Sequence, residues 1–256
     1  MSATGILVRK ELLESWRTYR LPVVAGLFLL VGLTSPLLAR FLPEIIKAAG
    51  GDQLGNVQVP TPDTADAVDQ LWKNLAQFGA FAAIILAMGA VATERERGTA
   101  AFILSKTATR GAFLGAKAIA IGAVLAVAVV LAVAVGWIYT AVLFEPMPVG
   151  GWIALAMLAW LGLAAWAAIT FLGSTVTGST AAAAGLGFLA LLVLSIAAAI
   201  PIVGRFLPGG LAAPALAMAT GAPVEAGDLM TSVVAAIVLI AACLAASAWS
   251  FRRQEL

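Results

Sequence analysis

Residues 146–204 form a run of 59 positions without one Asp, Glu, Lys or Arg. A helix needs about 20 mainly apolar residues to cross a hydrocarbon core roughly 30 Å thick. The run is too long for one crossing and fits two. A small polar break, from Gly173 through Ser174, Thr175 and Thr177 to Thr180, divides it into crossings at about 151–172 and 181–200. Four further charge-free runs, 21–39, 74–93, 118–144 and 229–251, are each bounded by charged residues. They place the other spans at about 21–41, 74–93, 118–144 and 229–251. Apolar residues make up 62% of the chain and charged residues 11%. Soluble domains carry roughly 45–50% and about 25%. Lipid admits only helices and closed barrels. The 56 alanines favour helices that pack closely. The expectation is an all-α membrane protein, one transmembrane domain over 1–256 with six transmembrane helices.

Six spans put both termini on one side. On that side lie Arg9, Lys10, Arg17, Arg20, Arg95, Arg97, Lys106, Arg110, Lys117, Arg252 and Arg253, which is 11 basic residues. The other side has 4: Arg40, Lys47, Lys73 and Arg205. Basic flanks stay in the cytoplasm. The chain is therefore expected in the cell inner (plasma) membrane, multi-pass, with both termini cytoplasmic. The first charge-free run is longer than a signal-peptide core and no clear A-x-A site follows it, so it reads as a retained anchor.

Several chemistries are excluded. There is no His and one Cys, Cys243, so no triad, imidazole metal site or thiolate cluster can form. A net charge of +2 gives no footprint for nucleic acid. The nearest approach to a phosphate-binding loop, Gly111, Gly115 and Lys117, has the wrong spacing. No catalytic residue, metal or cofactor is expected on this chain, and it is not expected to bind ATP. Span centres lack ionisable groups, which argues against an ion-coupled carrier.

The segments between spans carry the remaining signal. Over 6–20, Val8, Leu12, Trp16 and Tyr19 recur at helical spacing, with Arg9, Lys10, Glu14 and Arg17 on the other faces. This predicts an amphipathic helix in the cytoplasmic interface. The outer segment 201–228 is too apolar for a solvated loop and too broken for a span, which predicts a re-entrant or interfacial hairpin. The inner loop 94–117 holds the densest charge. Glu94, Arg95, Glu96, Arg97, Gly98 and Thr99 precede Phe102, Ile103 and Leu104, then Ser105, Lys106, Thr107 and Arg110. It reads as a short amphipathic helix between two polar turns. It either lies under headgroups or docks a cytoplasmic partner.

This loop resembles the signature of ABC-2 type transporter permeases, matched by Glu94, Glu96, Gly98, Thr99, Leu104, Arg110 and Lys117. Thr107 stands where that family often has Pro. Arg9, Lys10, Glu11 and Leu12 before the first span, and the Arg252-Arg253 ending, are similar too. The resemblance implies a permease subunit of an ATP-driven exporter. It implies a homo- or heterodimer of six-span subunits, with a second copy of this chain as the expected partner. Two copies of a cytoplasmic ABC ATPase subunit would bind the ATP and Mg. It implies a cytoplasmic coupling helix between spans 2 and 3, with Glu94, Glu96, Gly98, Thr99, Phe102, Leu104 and Arg110 as ATPase-coupling residues. It implies a substrate path lined by spans 2 and 5. In this chain those spans offer Phe78, Phe81, Ile85 and Met88, and Phe188, Leu192 and Ser195. The same stripes fit lipid-facing or internal packing surfaces. A path so lined suits a hydrophobic or amphipathic cargo such as a peptide, lipid or drug. A stand-alone channel or carrier, and a membrane anchor or assembly protein, are the alternatives.

Overall fold

The computed structural model describes residues 3–48, 61–99, 109–145 and 147–253. Among them all regular structure is helical. In chain order the helices are α1 (Ala3–Arg17), α2 (Arg20–Ala48), α3 (Thr64–Met88), α4 (Ala92–Glu96), α5 (Arg110–Leu143) and α6 (Val149–Thr177). There follow α7 (Thr180–Ala197), α8 (Pro201–Gly204), a 3-10 turn (Pro208–Leu211), α9 (Ala212–Thr220) and α10 (Ala226–Arg252). Among the described residues six helices are long and apolar enough to cross a membrane: α2, α3 with its continuation α4, α5, α6, α7 and α10.

Local chemistry sets the boundaries. At the start of α3, Asp63 accepts from the Asp66 N–H at 3.0 Å and Asp66 accepts from the Asp63 N–H at 2.9 Å. This reciprocal pair satisfies two N–H groups. Thr109 caps α5 through the Ala112 N–H, 3.1 Å away. Gly178, at φ +64°, ends α6 in the left-handed region that glycine enters without a Cβ penalty. Four helices, α2, α3, α5 and α10, outrun their charge-free stretches. With 34 residues α5 is about 51 Å long, and it starts at Arg110 rather than near 118. Lys117 therefore lies seven residues inside a helix. Charges mark where hydrocarbon ends, not where a helix ends.

The central element is α6, which packs against α3, α5, α7, α9 and α10. Leu71, Ile84, Leu125, Leu155 and Phe171 are fully buried around it. On one flank α2 lies along α5 and α3. It comes close because Gly32 faces the Ala132 carbonyl, where a Cβ would overlap. Pro36 and Pro43 interrupt the ladder of α2. Beside Pro36, Ser35 donates to the Val31 carbonyl at 2.6 Å and accepts from the Asn74 amide of α3 at 2.9 Å. Neighbouring polar groups of this kind make prolines tolerable in membrane helices. The outermost helices, α7 and α10, keep long apolar rows exposed, among them Leu189, Leu192 and Ile196, and Val234, Ile237 and Val238. The stretch from α8 to α9 turns its buried face, Leu211, Ala215 and Ala219, onto the bundle, where α9 rests on α6 and α3. At the opposite end α1 lies along α5, near the end of α10.

Candidate functional site

Polar chemistry concentrates at the end of the bundle that holds both termini. After α3 the chain bends at Gly89 into the single turn of α4. The first free N–H groups of that turn, Val91 and Ala92, both donate to the buried Ser174 hydroxyl, at 3.1 and 3.0 Å. An otherwise orphaned helix start is thus satisfied from another span. Arg95 donates to the Thr175 carbonyl at 3.1 Å. Its guanidinium packs over Gly178, where a Cβ would come within 2.8 Å. Glu96 accepts from the Thr180 N–H at 2.8 Å and the Thr180 hydroxyl at 3.0 Å. It places a negative charge at the N-terminus of α7, the favourable end of the helix dipole. The hydroxyls of Thr93 and Thr180 lie 3.2 Å apart. The bend after span 2 is therefore tied to the turn between spans 4 and 5.

Beside this clamp lies an ion cluster. Lys117 of α5 has a side chain only 6% exposed, with its ammonium 2.7 Å from Glu94 and 3.2 Å from Glu11 of α1. Lys10 adds contacts to Glu11 at 3.1 Å, Glu14 at 3.3 Å and Glu94 at 3.7 Å. Partial burial pulls the Lys10 ammonium downward, but Glu11, Glu94 and Glu14 outweigh it and hold it above the ordinary lysine value. A buried lysine in a membrane helix needs counter-charges, and two different elements supply them. At the start of α5, Arg110 donates to the carbonyls of Phe251 and Arg252, at 2.8 and 3.0 Å. It satisfies the last turn of α10 with a cation. Phe113 stacks on Phe251 with ring centroids 5.7 Å apart.

The coupling residues expected from sequence fall into two groups. Glu94, Glu96 and Arg110 are brought into these internal contacts. Gly98 turns the chain at φ +68°, and the Thr99 hydroxyl donates to the Glu94 carbonyl at 3.2 Å. Phe102 and Leu104 lie outside the described residues, as does Ile103 between them. Along the expected path, Phe78, Phe81 and Ile85 lie on an exposed face of α3, with Met88 half-buried at its end. Phe188, Leu192 and Ser195 are exposed on α7. The two stripes meet where the Phe81 and Phe188 rings sit 5.8 Å apart, tilted at 58°.

Sequence reasoning missed the receptor role of Ser174, the Arg95 contact and the Glu11–Lys117 pair. A signal existed for the last: Thr109 is a good N-cap residue, and a helix begun there carries Lys117 inward, where it needs an acid.

The family model described as ABC-2 family transporter protein matches residues 6–256. The chain is also similar to a protein of Bacillus subtilis (strain 168) described as the uncharacterized transmembrane protein YxlG. The two are 26% identical over 258 residues, covering 100% of this chain and 99% of the relative.

Proposed function

Since the chain belongs to the ABC-2 family of transporter proteins, we propose that it is the permease of an ATP-driven exporter, with ATP and Mg bound on a separate cytoplasmic ATPase. The observation that carries this reading is the fastening of α4. Six of its polar contacts fix the point from which residues 99–109 leave span 2. A segment that transmits force needs fixed ends. In this reading Glu94, Glu96, Gly98, Thr99 and Arg110 hold those ends, while Phe102 and Leu104 enter an apolar groove of the ATPase. Each well-buried anchor would contribute about 1.5–3 kcal/mol, with neighbouring charges setting register.

Two copies of the permease, with two ATPase subunits, would enclose a path between spans 2 and 5 in the cell membrane, both termini cytoplasmic. Phe78, Phe81, Ile85, Met88, Phe188, Leu192 and Ser195 would line it for a hydrophobic or amphipathic cargo. The test is co-purification of the ATPase from detergent extracts. Phe102→Ala with Leu104→Ala should lose the ATPase while expression stays normal. Undiminished recovery of the ATPase together with normal transport would remove the docking role. No ATPase partner with the unaltered chain would favour a stand-alone carrier or an anchor.

A further inference from the structure

A groove of about 630 Å³ opens between α3, α6 and α7 and is edged by Leu207, Pro208 and Gly209 before α9. Its volume lies within the roughly 300–1,000 Å³ of small-molecule sites. Its apolar lining includes Trp72, Phe81, Leu163, Trp166, Leu191 and Leu194. Its polar side chains, Lys73, Gln77 and Ser195, come from the parts of α3 and α7 nearer the end away from the termini. Along α3 the groove residues Lys73, Gln77 and Phe81 follow at four-residue steps of about 6 Å, and Asp69 stands one step beyond, paired with Lys73 at the groove's rim. Reading outward, the order is aromatic, neutral hydrogen-bonding, cationic, anionic.

A zwitterionic single-chain phospholipid has the same order: acyl chain, ester and hydroxyl linker, phosphate, ammonium. We propose that this groove binds such a lysophospholipid. Its chain lies against Phe81 and Trp166, its linker at Gln77 and Ser195, its phosphate on Lys73 and its ammonium on Asp69. Lys73 and Asp69 are 2.5 Å apart with side chains 65% and 40% exposed. Exposed pairs of this kind are weak, so a headgroup bearing both charges replaces their mutual contact at little expense. The proposal rests on the export reading only for the side of the membrane on which the groove opens. Phe81 and Ser195 would serve both.

The test is photolabelling of the purified full chain in a neutral maltoside detergent. The probe is a lysophosphocholine with a diazirine in its acyl chain, and labelled peptides are mapped by mass spectrometry. Label should concentrate on α3 near Phe81, α6 near Trp166 and α7 near Leu191. Unlabelled lysophosphocholine should compete at least tenfold better than an anionic lysophosphatidylglycerol or an uncharged monoacylglycerol. Lys73→Glu should cut labelling at least fivefold. The exchange Asp69→Lys with Lys73→Glu keeps an ion pair but reverses its order, and labelling should stay low. Ser195→Phe narrows the groove at an exposed position and should lower labelling without changing thermal unfolding. Label spread evenly over lipid-facing residues such as Leu189 and Val238 would overturn the proposal. So would equal competition by the three lipids, or recovery of labelling in the charge exchange. The labelling requires neither ATP nor an ATPase, so its failure leaves the export reading standing, and loss of the ATPase partner leaves the groove standing.

Discussion

Lys117 and Gly178 are the residues at which the smallest changes should have the largest effects. Replacing Lys117 with Met removes the buried cation between Glu11 and Glu94 and leaves these two largely buried carboxylates with only the half-exposed Lys10 as a counter-charge. Breaking a buried pair costs about 3–5 kcal/mol, which thermal unfolding in detergent should register as a large drop. Adding Glu94→Gln in that background should restore part of the loss, a coupling that a double-mutant cycle measures. Gly178→Ala should cost about 1–2 kcal/mol for its left-handed backbone and displace Arg95 from Thr175, exposing Arg97 to faster tryptic cleavage. Lys10 gives a pH signature. Its folded value is raised, so its stabilising share is fully present below the ordinary lysine value of about 10.4. That share fades as pH rises through the folded value. Unfolding midpoints of the parent and Lys10→Met should therefore converge only in strong alkali. At this scale the sequence was least legible. Glu11 and Lys117 are 106 positions apart and Val91 and Ser174 are 83 apart, and no local pattern announces a contact over that separation.

At the scale of elements, glycine spacing decides which helices can touch. Gly32 sits against the backbone of Ala132, whereas Gly26 of the same helix has open space where a Cβ would stand. Gly32→Val should push α2 from α5 and cost about 1–3 kcal/mol by overpacking. Gly26→Val should change the unfolding midpoint little. Comparing the two melts separates packing from helix propensity, since both changes make the same alteration in chemistry. The helices themselves were readable, because runs without charge are long and each ends at a charge. Their true starts and stops follow caps such as Asp63, Thr109 and Gly178, which charge counting ignores. The short helices from Pro201 to Thr220 were visible only as an apolar, broken stretch, since their fold depends on the α6 surface they cover.

For the whole molecule the 11-to-4 distribution of basic residues predicts sidedness. In a Cys243→Ser background, a cysteine at Gly221 should react with an impermeant maleimide on intact cells, and one at Lys106 should not. Reaction at Lys106 would invert the orientation and with it the docking proposal. The chain from Thr99 to Thr109 is pinned at both ends, but to different helices. Its first end belongs with spans 2, 4 and 5 through Ser174, Thr175 and Thr180. Its second end belongs with spans 3 and 6 through the grip of Arg110 on Phe251 and Arg252. The Glu94–Lys117 pair bridges the two groups, so a load applied to that short length of chain would reach five spans together through one buried ion pair, rather than tugging on a single helix.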